Sequence, residues 1–319
     1  MKESQKAEIS LHSLLVASLI VPISLVLVAA DYFFGHGLLK SVLPLNLDVV
    51  FLYALLLATP HTVASLFGFA DKEYVLFYKR RLLVEVPLVL IAFTAFYYFF
   101  RSYAIIFYFL YTAYHQVSQR GGIGRFYFKS ALPEFELWKW LTVAFTGIAY
   151  MYVARTTFSF SNVIAHYALP LAGLLLLPIV LLMVLMYRRI QNTSGKLYLI
   201  TLAGSIVGEF LLLMSGYPAL AILCVRFEHD IPAFMAYTTH DMNRNRDTKS
   251  NVLYKVLAFS KIPVYVLTPI LAIILAFLLE RTPYIVIILV ILISTLHYYI
   301  EGFIWKRDSL HRKYLAFTG

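Results

Sequence analysis

The sequence predicts an all-α, polytopic transmembrane bundle, and three observations predict it. Hydrophobic residues make up 61% of the 319-residue chain and charged residues only 14%. The mean hydropathy of +0.77 lies far outside the soluble globular range. Several apolar runs approach or exceed the roughly 20 residues that a helix needs to cross a bilayer. Lys and Arg collect between those runs, where they set orientation and meet anionic lipid. The net charge of +10 is therefore not read as nucleic-acid binding. The single cysteine, Cys224, excludes an internal disulfide and any cysteine-based metal cluster.

Taken in order, the apolar runs and their breakers place spans near 11–34, 48–70, 82–100, 102–118, 140–154, 166–187, 197–215, 262–280 and 284–304. The first run is too long for a signal-peptide core and lacks a small-residue cleavage site, so it is expected to be an uncleaved span. "RGGIGR" (120–125) reads as a flexible basic loop and does not match the dinucleotide fingerprint GxGxxG. The segment 216–261 decides the count. Its stretch "CVRFEHDIPAFMAYTTHD" (224–241) carries Arg226, Glu228, His229 and Asp230 among apolar residues.

If that segment stayed outside the membrane, the basic residues after it would fall on the wrong side. If 217–239 crosses, ten spans put both termini on one face together with 22 of the 27 basic residues. The far side keeps Lys40, Arg101, Arg155 and Arg281, and Arg226 alone lies within a span. The positive-inside rule selects this arrangement, a single integral-membrane domain over 1–319 with cytoplasmic termini. The segment 240–261 is then expected to be a polar cytoplasmic connection. Charges within a span are costly and face a bundle interior or a water cavity. Arg226 has two structural partners to consider, Asp230 four residues on and Glu209 on the preceding span.

This orientation brings His61, His115, His240 and His297 to the cytoplasmic end of their helices. His297 and Glu301 are spaced i, i+4, share a helix face and can ligate one ion. His229 and His240 also share a face, about 16 Å apart at 1.5 Å per residue, with Pro232 between them. A lone histidine at a helix end is ordinarily interfacial, and His12, His36, His166 and His311 are read that way. Four histidines at one depth, one with an i+4 carboxylate, point to a metal site. The expected ligands are His61, His115, His240, His297 and Glu301, with His229 and Asp230 tuning the site or relaying protons. Imidazole with carboxylate suits iron, and zinc or manganese as well. The 24 Tyr and 25 Phe are ascribed to interfacial belts and helix packing before any pigment-like pocket.

"TPHTVAS" (59–65) resembles the Pro-His-Gly segment of the Brp/Blh-type membrane β-carotene dioxygenases, in which histidines on several helices hold iron. Thr62 stands where that family has Gly, and no matching Asp-His follows. The resemblance implies His61 as an iron ligand. The HxxxH and HxxHH boxes of membrane desaturases are absent, as are a serine-hydrolase elbow, an HExxH box and a CxxC pair.

The expected function is a metal-dependent membrane oxygenase acting on a lipid or isoprenoid in a bacterial or archaeal inner membrane. The alternatives are a transporter or channel with a polar path through Glu209, Arg226, Glu228 and Asp230, or a non-catalytic subunit. The expected partners are the bilayer and an apolar substrate, with a membrane-protein partner or a second copy also considered, and no nucleic acid. A cysteine-accessibility scan over positions 244–250 tests the orientation. Labelling from the cytoplasmic face is expected, and labelling from the external face alone would exclude the ten-span arrangement.

Overall fold

The structure, a computed structural model, describes residues 6–43, 54–154, 162–247, 250–280, 286–306 and 308–318. The starts of the expected spans 48–70 and 284–304 lie outside these residues. So do Lys2, Arg155, Lys249, Arg281 and Arg307 of the charge count.

Among the described residues the chain is helical almost throughout. A two-residue strand β1 (Ile9–Ser10) leads into α1 (Leu11–Ala17), α2 (Ile20–Phe33) and α3 (Leu38–Val42). Then come α4 (Thr59–Ala64), α5 (Lys72–Phe77), α6 (Val86–Phe99), α7 (Arg101–Phe128) and α8 (Phe135–Ala154). The long helices α9 (Asn162–Arg189), α10 (Thr193–Met214) and α11 (Pro218–Asp247) follow. The chain continues through α12 (Val252–Leu257), α13 (Val264–Glu280) and α14 (Val286–Ile304) to β2 (Phe317–Thr318), which pairs in parallel with β1.

Helical stretches over Leu11–Phe33, Arg81–Phe99, His166–Arg189 and Thr193–Met214 are long and apolar enough to cross a membrane. Shorter apolar helices cover Leu56–Ala70, Val264–Leu278 and Ile291–Ile304. The burial pattern is the reverse of a soluble protein's. Phe34, Tyr98 and Leu177 are exposed, while Glu209, Glu228, Asp230, His240 and Asp241 are buried. Apolar side chains turned outward suit a hydrocarbon solvent. An all-α membrane protein fits these features.

Two compact units divide the chain. The first comprises Met1–Ser10, Phe51–Ile105 and Asp230–Thr318, and the second Leu11–Val50 and Ile106–His229, with Gly319. The first unit packs Val63, Phe67, Tyr74, Tyr78 and Tyr237 against Ala272, Ile300, Phe303 and Ile304. In the second, Val21 and Val28 of α2 meet Leu212 and Leu213 of α10, with Ala221 and Cys224 of α11. Gly208 permits that approach, because a Cβ there would collide with Val21.

Two expectations are corrected. "RGGIGR" is not a loop, since it lies within α7. Gly124 presses on Phe128 and Tyr198, with a hypothetical Cβ only 2.8 Å and 3.2 Å from their rings. Close packing rather than flexibility accounts for that glycine. The segment after residue 239 is not simply a polar connection either, because α11 continues to Asp247. Its polar side chains find protein partners, so the helix can run on inside the first unit. Asn243 receives the Ala7 amide at 2.8 Å and donates to the carbonyls of Ala7 and Tyr314, each at 2.9 Å. Arg244 donates to Asp71 at 2.9 Å, to the Tyr314 hydroxyl at 2.8 Å and to Glu73. Asn251 donates to the Phe67 carbonyl at 2.8 Å and caps α12.

Asp71 is the acidic centre of this network. Burial alone would raise its pKa, but hydrogen bonds from Ser250 and Arg244, the Glu73 amide and the Arg244 charge outweigh that and lower it. A carboxyl depressed in the folded state contributes stability above its unfolded value of about 3.9 and loses it as pH falls through the folded value. The melting temperature of the detergent-solubilised protein should therefore drop as pH is lowered below about 4. Asp71→Asn should melt lower at neutral pH and show a flatter acid limb, measured by tryptophan fluorescence. An unchanged acid limb in the variant would remove Asp71 from the network's pH dependence.

Candidate metal centre

In the first unit, four residues expected from the sequence converge: His61, Asp230, His297 and Glu301. All are buried. His61 lies at the start of α4, directly after a π-helical turn over Ala54–Ala58. Pro60 lacks an N–H and cannot continue a regular α-helical ladder from that turn, so the helix restarts at the proline. The His61 Nε2 atom lies 3.2 Å from His297 Nε2 on α14, and the two rings meet edge to face at 4.8 Å between centroids. Glu301, one turn beyond His297, keeps a carboxylate oxygen within 4.8 Å of the His297 ligand nitrogen. Its side chain accepts a hydrogen bond from Trp305.

The outer nitrogens of both rings define the tautomers. His61 Nδ1 lies 3.3 Å from the Leu57 carbonyl and 3.2 Å from Asp230 Oδ1. A carbonyl can only accept, so this nitrogen carries the proton and donates. His297 Nδ1 lies 3.0 Å from Ser65 Oγ. The Ser65 hydroxyl spends its own hydrogen on the Thr62 carbonyl at 2.6 Å, so it accepts from His297. Each imidazole then presents a lone pair on Nε2, and the two lone pairs face each other. Two acceptors at 3.2 Å repel unless a cation lies between them. The spacing suits two nitrogens on one ion, because metal–nitrogen bonds of about 2.0–2.1 Å leave adjacent ligands roughly 3 Å apart. The Leu57 and Ser65 bonds hold the two tautomers, as outer partners do for imidazoles that ligate metals.

Of the remaining expected residues, His240 belongs to another cluster of the first unit. His240 receives the Tyr74 hydroxyl at Nε2, 2.9 Å away, and meets Asp241 through Nδ1 at 2.9 Å. Its ring stacks on that of His311 at 4.8 Å. Both ring nitrogens are engaged, so a metal ion at His240 would have to displace one of these partners. His12, His36 and His166 are exposed, in keeping with an interfacial reading. His311 departs from that reading because it is buried among Tyr74, Tyr78 and His240. In the second unit, His115 and His229 pack ring against ring at 4.7 Å. There Glu228 pairs with Arg120 at 3.1 Å.

Nothing in the sequence marks Ser65 or Trp305. Ser65 follows His61 by four residues and Trp305 follows Glu301 by four, so each shares a helix face with an expected ligand. Neither residue type signals such a role on its own. No known protein family, no curated protein and no solved structure matches this chain.

The tautomers are open to direct measurement. Selective nitrogen-15 labelling of histidine should find His61 and His297 protonated at Nδ1. Ser65→Ala removes the acceptor for His297, and its signal should move toward a mixture of tautomers while that of His61 stays. An unmoved His297 signal would show that Ser65 does not set the tautomer.

Proposed function

We propose that the protein is a metal-dependent integral-membrane oxidoreductase, an oxygenase that acts on a lipid or isoprenoid substrate. In this reading His61, His297 and Glu301 bind an iron ion, and Asp230 and Ser65 hold the imidazoles in place. The observation that carries it is the pair of Nε2 lone pairs 3.2 Å apart, each fixed by a hydrogen-bonded Nδ1–H on the far side of its ring. Two histidines and one carboxylate are the donor set of non-haem iron oxygenases, in which open positions remain for the reactants. Bound there, iron would supply activation of dioxygen. Zinc and manganese suit the same donor types.

The protein's own part is to orient and to exclude water. Ser65 and the Leu57 carbonyl keep both rings in the tautomer that can ligate through Nε2, Asp230 flanks His61 Nδ1, and the burial of His61 and His297 keeps solvent from the ion. The exposed apolar faces of α6 and α9 match a bilayer, from which an apolar substrate would arrive. The resemblance of "TPHTVAS" to the Brp/Blh-type segment supports the same chemistry. The charge distribution supports ten spans with cytoplasmic termini, in a bacterial or archaeal inner membrane.

A shared proton would satisfy the two facing lone pairs equally well, and metal analysis separates the two. Purified protein should carry iron, zinc or manganese near one equivalent. His297→Ala should lose that metal while remaining monodisperse, and Glu301→Gln should lose less, since it keeps size and hydrogen bonding but not charge. Folded wild-type protein without metal would overturn the proposal, as would equal metal in wild type and His297→Ala.

A further inference from the structure

The second unit holds a separate buried polar seam built from i, i+4 pairs on three helices. Gln116 and Arg120 lie on α7, Thr146 and Tyr150 on α8, and Ser205 and Glu209 on α10. Glu228 on α11 completes the set. All seven side chains are buried, in a protein whose outer faces are apolar. One layer of the seam is fully committed. Arg120 donates to Glu228 at 3.1 Å, and the Ser205 hydroxyl donates to the other Glu228 oxygen. The Tyr198 hydroxyl anchors the Arg120 carbonyl at 3.1 Å.

The neighbouring layer is not committed. The Tyr150 hydroxyl donates to Gln116 Oε1 at 2.9 Å. Among the described residues, Gln116 Nε2, Thr146 Oγ1 and Glu209 Oε1 have no hydrogen-bond partner. One is a donor, one an acceptor and one can be either. Unsatisfied buried polar atoms are costly, so such a set in one seam calls for a small guest that both donates and accepts, namely water. The charged and titratable groups that Glu209 faces are Arg120 on α7, Tyr150 on α8, and Glu228 and Cys224 on α11. Arg226 acts on the seam through Tyr150. Arg120 is already held by Glu228, and among the described residues Glu209 Oε1 has no hydrogen-bond partner to fix it.

We infer that Glu209 is a proton-uptake site served by water within this seam, with the Arg120–Glu228–Ser205 layer as its fixed electrostatic wall. In the uptake step a hydronium ion gives its proton to a Glu209 carboxylate oxygen. One O–H bond breaks on hydronium and one forms on Glu209, leaving a water and a neutral carboxylic acid. Gln116 and Thr146 hold the water beside the carboxyl. The site is independent of the metal centre proposed above, and its test involves no metal.

Infrared difference spectra between acid and alkaline pH, recorded on metal-stripped protein in lipid, read the carboxyl directly. Wild-type protein should show a protonated-carboxyl C=O band that shifts in heavy water and is lost in Glu209→Gln. Glu209→Asp, which keeps a carboxyl but moves it by one methylene, should return the band at a shifted frequency. Identical spectra for wild type and Glu209→Gln would overturn the inference. If Glu209→Gln does not fold, Glu209→Asp decides the matter: a shifted band supports the inference and an unshifted one overturns it.

Discussion

The constraint on which the rest of the structure depends is that the polar side chains of α11 are buried. Leaving Glu228, Asp230, His240, Asp241, Asn243 and Arg244 without partners inside the protein would be costly, since each lost partner costs on the order of 1–3 kcal/mol and more for a charge. Each unit answers this locally. In the second, Arg120 and Ser205 close on Glu228. In the first, His61 faces Asp230, Tyr74 faces His240, and Tyr254 and Thr268 close on Asp241. The termini are recruited as well. Asn243 binds the backbone of both Ala7 and Tyr314, and the short β1–β2 pair forms in the same unit.

The histidine pair follows the same logic with a different outcome. Around His240, every ring nitrogen ends on a protein group, and the stack with His311 makes it part of a packed aromatic cluster. Around His61 and His297, protein groups hold the outer nitrogens. The inner nitrogens face one another. Histidines of equal standing in the sequence thus differ in chemical capacity because of what surrounds the ring.

Much of the fold was legible in one dimension. Long apolar runs and the placement of Lys and Arg define membrane-length helices whatever their neighbours are, since lipid solvates them the same way. The pairing of His297 with Glu301 was legible because an i, i+4 register is a property of one helix. "RGGIGR" was misread because glycine carries two opposite meanings. It loosens a solvated turn, but inside α7 it lets Phe128 and Tyr198 approach. The extension of α11 to Asp247 was missed because polar residues past residue 239 look solvated until their partners are known.

What the sequence determined by itself is the all-α membrane class, the positions of the apolar helices, and a short roster of histidines and carboxylates that could carry chemistry. Those follow from local hydropathy and from spacing within a single helix. Tertiary structure alone decided which members of the roster meet. His61 and His297 are 236 residues apart, and no periodicity links positions on different helices. Only the packing of α4 against α14, with Ser65 behind one ring and Leu57 and Asp230 behind the other, turns two ordinary histidines into a pair of converging lone pairs.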